Sequence, residues 1–324
     1  MPKIKIRVSR FVGTPFFFKE TVMTKTTAEI FEKYEVRKTN KQKKAFREWA
    51  LKTGEEIGFN AQLEKCNFGG KNIIFGDIEK AEVIYGAHYD TCAVLPFPNF
   101  ITPKSRLIYI LYQLVITLAL FIPLFILITV ICSTELCYIA PLISYLYAIA
   151  LLILLHFGPA NRHTANDNSS GVTVIFNTMA KLPPEMRDKA AFVLFDLEEA
   201  GLIGSSGFNK KHKELMKTKP LVNFDCVSDG KNFIFVFRKK AKDYVDTMKK
   251  AFAEKDGYSC EFLTKGYVYA SDQASFPCGI GVAAMNKKGN ILYMDKIHTP
   301  KDRVYEEDNV EFLSACAVKL TEML

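Results

Sequence analysis

Two periodicities of hydrophobic and polar positions alternate along most of the chain. Short apolar runs rich in β-branched and aromatic residues predict strands at residues 72–75, 81–87, 190–195, 220–224, 233–237 and 281–285. Longer stretches with helical spacing of apolar positions predict helices at residues 39–53, 171–181, 241–255 and 308–323. Strands separated by helices are typical of an α/β fold with a mixed, mainly parallel central sheet and helices on both faces.

Two long apolar runs interrupt this alternation in the middle of the chain. Residues 107–132 contain no charged side chain, and residues 136–157 contain no Asp, Glu, Lys or Arg. Each run exceeds the roughly 20 residues that a helix needs to cross about 30 Å of hydrocarbon. Neither has the polar stripe of a helix packed in a soluble protein, although two buried helices of a soluble dimer are the alternative. We therefore predict an inserted transmembrane helical hairpin at residues 107–157, with a break of only three residues between its helices.

The charges beside the hairpin predict its orientation. Lys104 and Arg106 precede the first run and Arg162 follows the second, whereas the turn carries only Glu135. By the positive-inside tendency, both chain ends lie in the cytoplasm. We expect an integral membrane protein whose single cytoplasmic domain consists of residues 1–106 and 158–324, beginning with a basic arm at residues 1–36. A re-entrant hairpin that does not fully cross the lipid bilayer is the alternative, and an all-round apolar hairpin could also form a homodimer.

Composition changes this picture mainly through the location of the charge. The 324 residues carry 43 Lys and Arg against 35 Asp and Glu, and 49% are apolar, which excludes a disordered chain. Residues 1–50 hold 13 of the basic and 5 of the acidic residues, so the rest of the chain is balanced at 30 of each. No nucleic-acid-binding motif accompanies the basic arm, so we expect no nucleic acid partner and favour an anionic membrane surface. The eight cysteines form no CxxC pair and no dense framework, and with no export signal recognised we expect reduced thiols.

Histidine and carboxylate side chains follow several predicted strands or begin a helix. They are His88, Asp90, Asp167, Glu198, Glu199, Asp225 and His298. Ligand sites in α/β sheets gather at the carboxyl ends of strands, so these side chains can converge on one cleft. Each motif alone is a weak signal, because a lone histidine is usually packed and paired glutamates usually face solvent. Two histidines with three or four carboxylates are, together, the ligand set of a divalent metal pair, most simply zinc.

The ordered set of motifs resembles the di-zinc aminopeptidase family, which includes secreted bacterial leucine aminopeptidases, glutamate carboxypeptidase and glutaminyl cyclase. The motifs are His88-Tyr89-Asp90, Asp167 before Ser170-Gly171-Val172, Glu198-Glu199, Asp225 and His298. The resemblance covers about residues 37–324 apart from the hairpin. It implies a zinc-exopeptidase-like fold and a zinc-dependent aminopeptidase, a hydrolase that removes N-terminal residues from peptide substrates.

The resemblance also implies the metal ligands. His88 and Asp225 would bind one Zn²⁺, Glu199 and His298 would bind the other, and Asp167 would bridge the two ions. Imidazole and carboxylate groups suit zinc, and Mn²⁺ or Co²⁺ would fit the same ligands. A bridging carboxylate would hold the ions about 3.5–4 Å apart so that they share one hydroxide.

Catalytic and substrate-binding roles follow from the same resemblance. Glu198 would be the general base and Asp90 the carboxylate that orients His88. The segment at residues 267–276 resembles the family's substrate-pocket segment, and its candidate contacts are Tyr267, Tyr269 and Asp272. This segment departs from the family pattern at Gln273, where a histidine is common.

Two other functions remain open at this point. One is a glutaminyl-cyclase-like or amidase enzyme; the related cyclases use a single zinc, so the presence of both His88 and Asp225 favours a two-metal hydrolase. The other is a catalytically silent membrane scaffold of the same fold, which the retention of Glu198 and every ligand disfavours. Only nine residues, 158–166, separate the hairpin from Asp167. At about 3.3–3.6 Å per residue, the metal site must lie within roughly 30–36 Å of the bilayer edge.

Overall fold

A computed structural model of the protein describes residues 25–253 and 255–324. The first 24 residues of the predicted basic arm thus lie outside the described residues. The strands are β1 (Ala61–Lys65), β2 (Lys71–Phe75), β3 (Val83–His88), β4 (Ala190–Phe195), β5 (Leu221–Phe224), β6 (Asn232–Phe237), β7 (Ser259–Leu263), β8 (Gly279–Lys288) and β9 (Ile291–Tyr293). The helices are α1 (Lys25–Lys33), α2 (Asn40–Ile57), α3 (Arg106–Cys132), α4 (Ala140–Phe157), α5 (Gly171–Lys181), α6 (Ile203–Lys211), α7 (Val245–Ala251) and α8 (Glu307–Met323).

The strands form one mixed sheet. Its order is β1-β2-β4-β3-β5-β8-β6-β7, and β9 pairs with β8. The four central strands β4, β3, β5 and β8 run parallel to their neighbours within that group. Antiparallel pairs flank the group on both sides, through β2 next to β4 and β6 next to β8. The predicted mixed, mainly parallel central sheet is confirmed.

Both faces of the central strands are covered by helices. All six residues of β3 and all six of β4 are buried, as expected of strands packed on both sides. On one face, Tyr85 and Phe192 pack with apolar residues of α2, α5 and α8, including Phe176. On the other face, Ile84 and the alternate residues of β4 pack with Phe208 of α6. The alternation of strand side chains therefore divides the core into two layers, one on each side of the sheet.

Several elements differ from those that the hydrophobic pattern predicts. The structure adds β1, β7, β9, α1 and α6, and it shortens the helix expected at residues 241–255 to α7. β1 and β7 are edge strands, and β1 contains only two apolar residues, Ala61 and Leu63, so it lacks the pattern of a buried strand. α1 and α6 are each only nine residues long, which is too short for a clear helical period. The predicted central strands and the helices α2, α5 and α8 agree with the structure to within a few residues.

The apolar runs form α3 and α4, which pack against each other. The Tyr147 hydroxyl of α4 donates a 2.5 Å hydrogen bond to the Leu120 carbonyl of α3. The connection is longer than the three residues expected, because a tight helical turn at Glu135–Ile139 comes before α4. The Thr134 side chain accepts a hydrogen bond from the backbone amide of Leu136 in this turn, and Pro141 lies in the first turn of α4, where a missing N–H costs little.

The length and exposure of these two helices bear on the membrane prediction. α3 has 27 residues, which corresponds to about 40 Å of helix. By length and composition, the segments Arg106–Cys132 and Glu135–Phe157 could each cross a membrane. The most apolar stretch of the first segment is 0% buried and that of the second is 6% buried. Neither segment is therefore a helix buried in the hydrophobic core of this chain.

Candidate metal centre

The sheet brings the ends of three parallel strands to one edge. His88 is the last residue of β3 and lies opposite Phe195, the last residue of β4. Asp225 directly follows β5, which pairs with the other side of β3. Glu198 and Glu199 lie in the turn that follows β4. Since parallel strands end at the same edge, side chains distant in sequence meet there, as the strand pattern predicts.

Asp167 lies between two groups of potential metal ligands. Its Oδ1 is 3.2 Å from His88 Nε2, which is also 3.4 Å from Asp225 Oδ1. Its Oδ2 is 3.1 Å from His298 Nε2, which is also 3.3 Å from Glu199 Oε2. Each carboxylate oxygen of Asp167 therefore faces a different histidine and a different second carboxylate.

These contacts fit a pair of zinc ions. Two ligand atoms on one tetrahedral zinc ion lie about 3.3–3.6 Å apart, because each zinc bond is about 2.0–2.2 Å long. The four contacts around Asp167 span 3.1–3.4 Å, close to that spacing. Glu199 Oε1 is buried and accepts no hydrogen bond from the described residues, although a buried carboxylate oxygen ordinarily has a partner. The donor types, the spacing and this unsatisfied oxygen are all compatible with bound cations.

Asp90 supports the centre by a different route from the one expected. Its carboxylate is 3.7 Å from His88 Nδ1, whereas its backbone carbonyl lies 3.1 Å from the same nitrogen. The carboxylate instead accepts hydrogen bonds from the backbone amides of Glu198, at 3.0 Å, and Glu199, at 3.2 Å. Asp90 therefore positions His88 through its main chain and the two glutamates through its side chain.

A second supporting carboxylate, Asp302, was not predicted as a site residue from the sequence. Its two oxygens accept hydrogen bonds from the backbone amides of Asn166, at 2.8 Å, and Asp167, at 3.0 Å. Asp302 is 1% exposed and follows His298 by four residues, so one short loop supplies a candidate ligand and the support for another. The only sequence signal for this role is that proximity to His298.

The backbone takes an unusual conformation at three positions in or beside the centre. Leu197, Cys226 and His298 have φ of 59°, 57° and 63°, in the left-handed region that non-glycine residues rarely occupy. Such conformations cost on the order of 1–3 kcal/mol each and persist where the surrounding structure enforces them. At His298, the backbone carbonyl accepts a 2.8 Å hydrogen bond from the amide of Leu95. These three strained positions are therefore a candidate ligand and neighbours of the candidate ligands.

The charges of the site perturb one another strongly. Burial lowers the pKa of His88, but Glu198, Asp167 and Asp225 outweigh that effect and raise the pKa well above its usual range. Burial raises the pKa of Glu198 well above its usual range, opposed by His88 and reinforced by Glu199. Burial and the charge of Asp167 do the same to the pKa of Glu199. Crowding of this many carboxylates raises the cost of their negative charge, which bound cations would offset.

Cys92 is a further neighbour of this centre that the sequence did not single out. Its sulfur belongs to a group with ligand atoms of Asp167, Glu199 and His298 that all lie within 4.8 Å of one another. Burial, followed by the charge of Glu199, raises the pKa of the Cys92 thiol well above its usual range. Cys92 is a free thiol, as are the other seven cysteines, in agreement with the reduced state expected.

The predicted substrate-pocket residues occupy three different environments. Tyr269 lines the cavity that contains Asp167 and Glu198, and its hydroxyl donates to the Asp225 carbonyl. Tyr267 does not line that cavity, and its hydroxyl donates a hydrogen bond to the Phe237 carbonyl. Asp272 is fully buried and also does not line the cavity, and burial raises its pKa to about 7.

Gln273, where the family pattern commonly has a histidine, is also turned away from the cavity. It is 1% exposed, and its side-chain oxygen accepts a 3.4 Å hydrogen bond from Asn223 of β5. Its side chain also lies against Gly281 of β8, where an added Cβ would approach it to 2.6 Å. Gln273 therefore serves to pack the segment onto the sheet.

Comparison with known proteins identifies the family. The model described as Peptidase family M28 matches residues 151–318, just over half of the chain. The chain belongs to peptidase family M28. Aminopeptidase YwaD of Bacillus subtilis (strain 168) is 30% identical over 162 residues, which cover 43% of this chain and 32% of that protein. The chain thus matches about a third of the length of this curated relative.

Solved structures share the fold at low sequence identity. A Zn-dependent exopeptidase from Parabacteroides distasonis has a TM-score of 0.55 and 14% identity, covering 91% of this chain and 94% of that one. The glutaminyl cyclase of Porphyromonas gingivalis has a TM-score of 0.55 and 16% identity, covering 90% and 93%. The predicted family and zinc-exopeptidase-like fold are confirmed.

Proposed function

We propose that this protein is a membrane-anchored di-zinc metallo-aminopeptidase that hydrolyses N-terminal residues from peptides. The observation that carries the proposal is the position of Asp167, whose two oxygens face two separate pairs of a histidine and a carboxylate. A bridging carboxylate is what a two-metal hydrolase needs to hold two ions close together. The family membership and the aminopeptidase relative support the reaction class.

The residues of the centre would have two kinds of role, metal binding and proton transfer. His88 and Asp225 would hold one zinc ion, Glu199 and His298 the other, and Asp167 both. Bound zinc supplies Lewis acidity that polarises the scissile carbonyl and lowers the pKa of water. The side chain of Glu198 has an oxygen within 4.8 Å of ligand atoms of His88 and Glu199.

Glu198 would move the proton of the reaction. The carboxylate would accept a proton from the attacking water and donate it to the leaving amine, as general acid–base catalysis requires. Its backbone amide is fixed by the Asp90 carboxylate, and Leu197, directly before it, has a left-handed backbone conformation. The hydrogen bond and the backbone conformation both limit the orientations that the Glu198 side chain can reach.

Membrane anchoring is supported by the two exposed apolar helices. Lys104 and Arg106 lie at the start of the first helix and Arg162 follows the second. These basic residues lie at the same end of the hairpin, which favours a catalytic domain on the cytoplasmic side. Residues 158–166 are the only connection between α4 and Asp167, so the metal centre would lie close to the headgroups. A homodimer through the hairpin would be compatible with the same apolar surface.

Hydrolysis assays on the detergent-purified full chain test this function. We expect release of the N-terminal residue from a panel of aminoacyl amides, loss of release after chelation, and recovery on adding Zn²⁺. Mn²⁺ and Co²⁺ added to the chelated protein test whether they replace zinc. One zinc per chain with cyclisation of N-terminal glutamine would instead favour the glutaminyl-cyclase-like function. Absence of both metal and turnover would favour the silent scaffold.

A further inference from the structure

Two adjoining cavities connect the candidate metal centre with the base of the hairpin. The smaller, of about 350 Å³, is lined by Asp167, Glu198 and Asp225. The larger, of about 890 Å³, extends to the beginning of α3 and the end of α4, where the hairpin joins the rest of the protein. The two cavities share four lining residues, which are Asn99, His156, Glu199 and His298. His156 belongs to α4, so the hairpin itself forms part of the wall around the metal centre.

The hairpin end of the larger cavity is largely apolar. Tyr112 and Ile116 of α3 and Leu155 and Phe157 of α4 line it. Leu155 is 38% exposed and Phe157 81% exposed, so this wall continues onto the outer surface of the hairpin. If the hairpin spans the bilayer, this end of the cavity lies at the lipid–water boundary, where aromatic side chains such as Tyr112 are favoured.

Hydrogen bonds fasten this wall to the catalytic domain. The Lys38 ammonium donates to the His156 carbonyl at 2.7 Å, and the Tyr112 hydroxyl donates to the Pro98 carbonyl at 2.6 Å. The segment between β3 and α3 is joined to the centre through the bond from the Leu95 amide to the His298 carbonyl. The apolar wall is therefore held in place beside the ligands by Lys38, which precedes α2, and by the segment that leads into α3.

We propose that the substrates are amphiphilic peptides at the membrane surface, with a free N-terminal residue followed by a run of apolar residues. The N-terminal residue occupies the metal centre, and the apolar residues after the scissile bond lie against Ile116 and Leu155. This inference rests on the proposed aminopeptidase function, because it uses the same hydrolysis. Water adds its oxygen to the carbonyl carbon, the C–N bond breaks, and the leaving amine takes the proton.

The test compares three substrates that share one N-terminal residue, with the full chain reconstituted in phosphatidylcholine nanodiscs. One is an aminoacyl amide, and two are decapeptides whose following residues are either apolar or polar. We expect kcat/KM for the apolar decapeptide to exceed that for the polar one by about tenfold or more, since each buried methylene contributes to binding. Equal values for the two decapeptides would overturn the inference.

Substitutions of the wall residues distinguish binding of the peptide to the protein from partition of the peptide into lipid. Ile116→Ala and Leu155→Ala should each lower kcat/KM for the apolar decapeptide about tenfold and leave that for the aminoacyl amide unchanged. The matched controls Val115→Ala and Leu154→Ala replace neighbouring exposed residues that line neither cavity, and they should retain the preference. Peptide partition into the bilayer is the same for all four variants, so similar losses in all of them, or in none, would overturn the inference.

The aminoacyl amide distinguishes failure of this inference from failure of the proposed function. Its hydrolysis without any preference between the decapeptides would remove only the amphiphilic substrate class. No hydrolysis of any of the three substrates by zinc-loaded protein would remove the aminopeptidase function, and the inference with it.

Discussion

At the scale of single residues, the candidate centre depends on side chains that hold other side chains. Asp302 accepts hydrogen bonds from the backbone of Asp167, and Asp90 accepts them from the backbone of Glu198 and Glu199. Replacing partners that orient metal ligands commonly changes metal affinity or activity about 10–100-fold. The supporting carboxylates are therefore as informative to test as the ligands.

Glu198→Gln tests the proton transfer directly. The amide cannot accept a proton, so we expect kcat to fall by about 10²–10⁴-fold. Metal content and thermal stability should remain unchanged, because the substitution preserves shape and leaves the five proposed ligands in place. Turnover of an aminoacyl amide is the measurement, and Glu185→Gln, at an exposed position, is the control. Unchanged hydrolysis in the Glu198 variant would exclude it as the general base.

Asp90→Asn tests the support of the two glutamates. An asparagine amide group would face a backbone N–H, so one of the two hydrogen bonds to residues 198 and 199 should be lost. We expect zinc affinity to fall about 10–100-fold, measured by competition with a chromogenic chelator. The control is Asp188→Asn, whose side chain is 80% exposed. Equal zinc affinities in the Asp90 variant and the control would contradict this role.

The sequence predicts the candidate ligands better than their surroundings. His88 ends an apolar strand, Asp225 directly follows one and Glu199 lies in the turn after one, and strand ends gather at one edge of a parallel sheet. Cys92 and Asp302 have no such signal, because their positions depend on how the loops around the hairpin fold back. Tyr267 has an aromatic side chain in a segment that resembles a pocket, but its hydroxyl instead bonds to the backbone of β6.

At the scale of elements, a buried ion pair docks α2 onto the sheet. Lys43 Nζ lies 2.7 Å from Asp196 Oδ1, and the two side chains are 6% and 1% exposed. Lys43→Met should lower the free energy of unfolding by about 3 kcal/mol, because it removes the ammonium group nearest to a buried carboxylate, whose other cationic neighbour, Arg47, is 3.8 Å away. Denaturation followed by the fluorescence of Trp49, the single tryptophan, measures this loss.

Two controls test this ion pair: a substitution at another lysine of α2, and a double variant that also replaces Asp196. Lys44→Met, at a side chain that is 73% exposed, should change stability by less than about 0.5 kcal/mol. The double variant Lys43→Met with Asp196→Leu should recover part of the loss, because it removes the buried charge. A Lys43 variant as stable as the Lys44 variant would contradict the docking role.

The hairpin carries its own probes of topology. Cys132 and Cys137 are exposed free thiols beside the turn, whereas Cys66 lies in the catalytic domain. For a hairpin that crosses the bilayer from the cytoplasm, a membrane-impermeant maleimide should label the two turn thiols in intact cells. Cys66, in a variant with both turn cysteines replaced by serine, should be labelled only after permeabilisation. Turn thiols labelled only after permeabilisation would indicate a re-entrant hairpin, and Cys66 labelled in intact cells would reverse the orientation.

Element prediction succeeds where a segment is buried and fails where it lies at an edge. β4 and α5 match their predicted ranges in full, because continuous burial of β4 and the apolar face of α5 leave a strong pattern. β1 and β7 pair at the two ends of the sheet and need little apolar surface. The length of the hairpin turn depended on a local cap at Thr134, which the apolar run alone does not specify.

At the scale of the whole molecule, the hairpin lies within the chain of the catalytic domain rather than at one end. The chain leaves β3 at His88, passes through α3 and α4, and returns to Asp167 before α5. Two of the proposed metal ligands, His88 and Asp167, therefore lie on either side of the two apolar helices in the chain. If these helices span a bilayer as proposed, the metal centre lies close to it, and His156 of α4 contributes to the wall of the cavity at that centre.

Metal content per chain tests the central claim most directly. The full chain, purified in detergent and dialysed against metal-free buffer, should retain close to two zinc ions per chain by elemental analysis. Asp167→Asn should lose both ions together, because each of its oxygens faces one of the two ligand pairs. One ion per chain, or full retention of two ions in the Asp167 variant, would contradict a bridged two-metal centre.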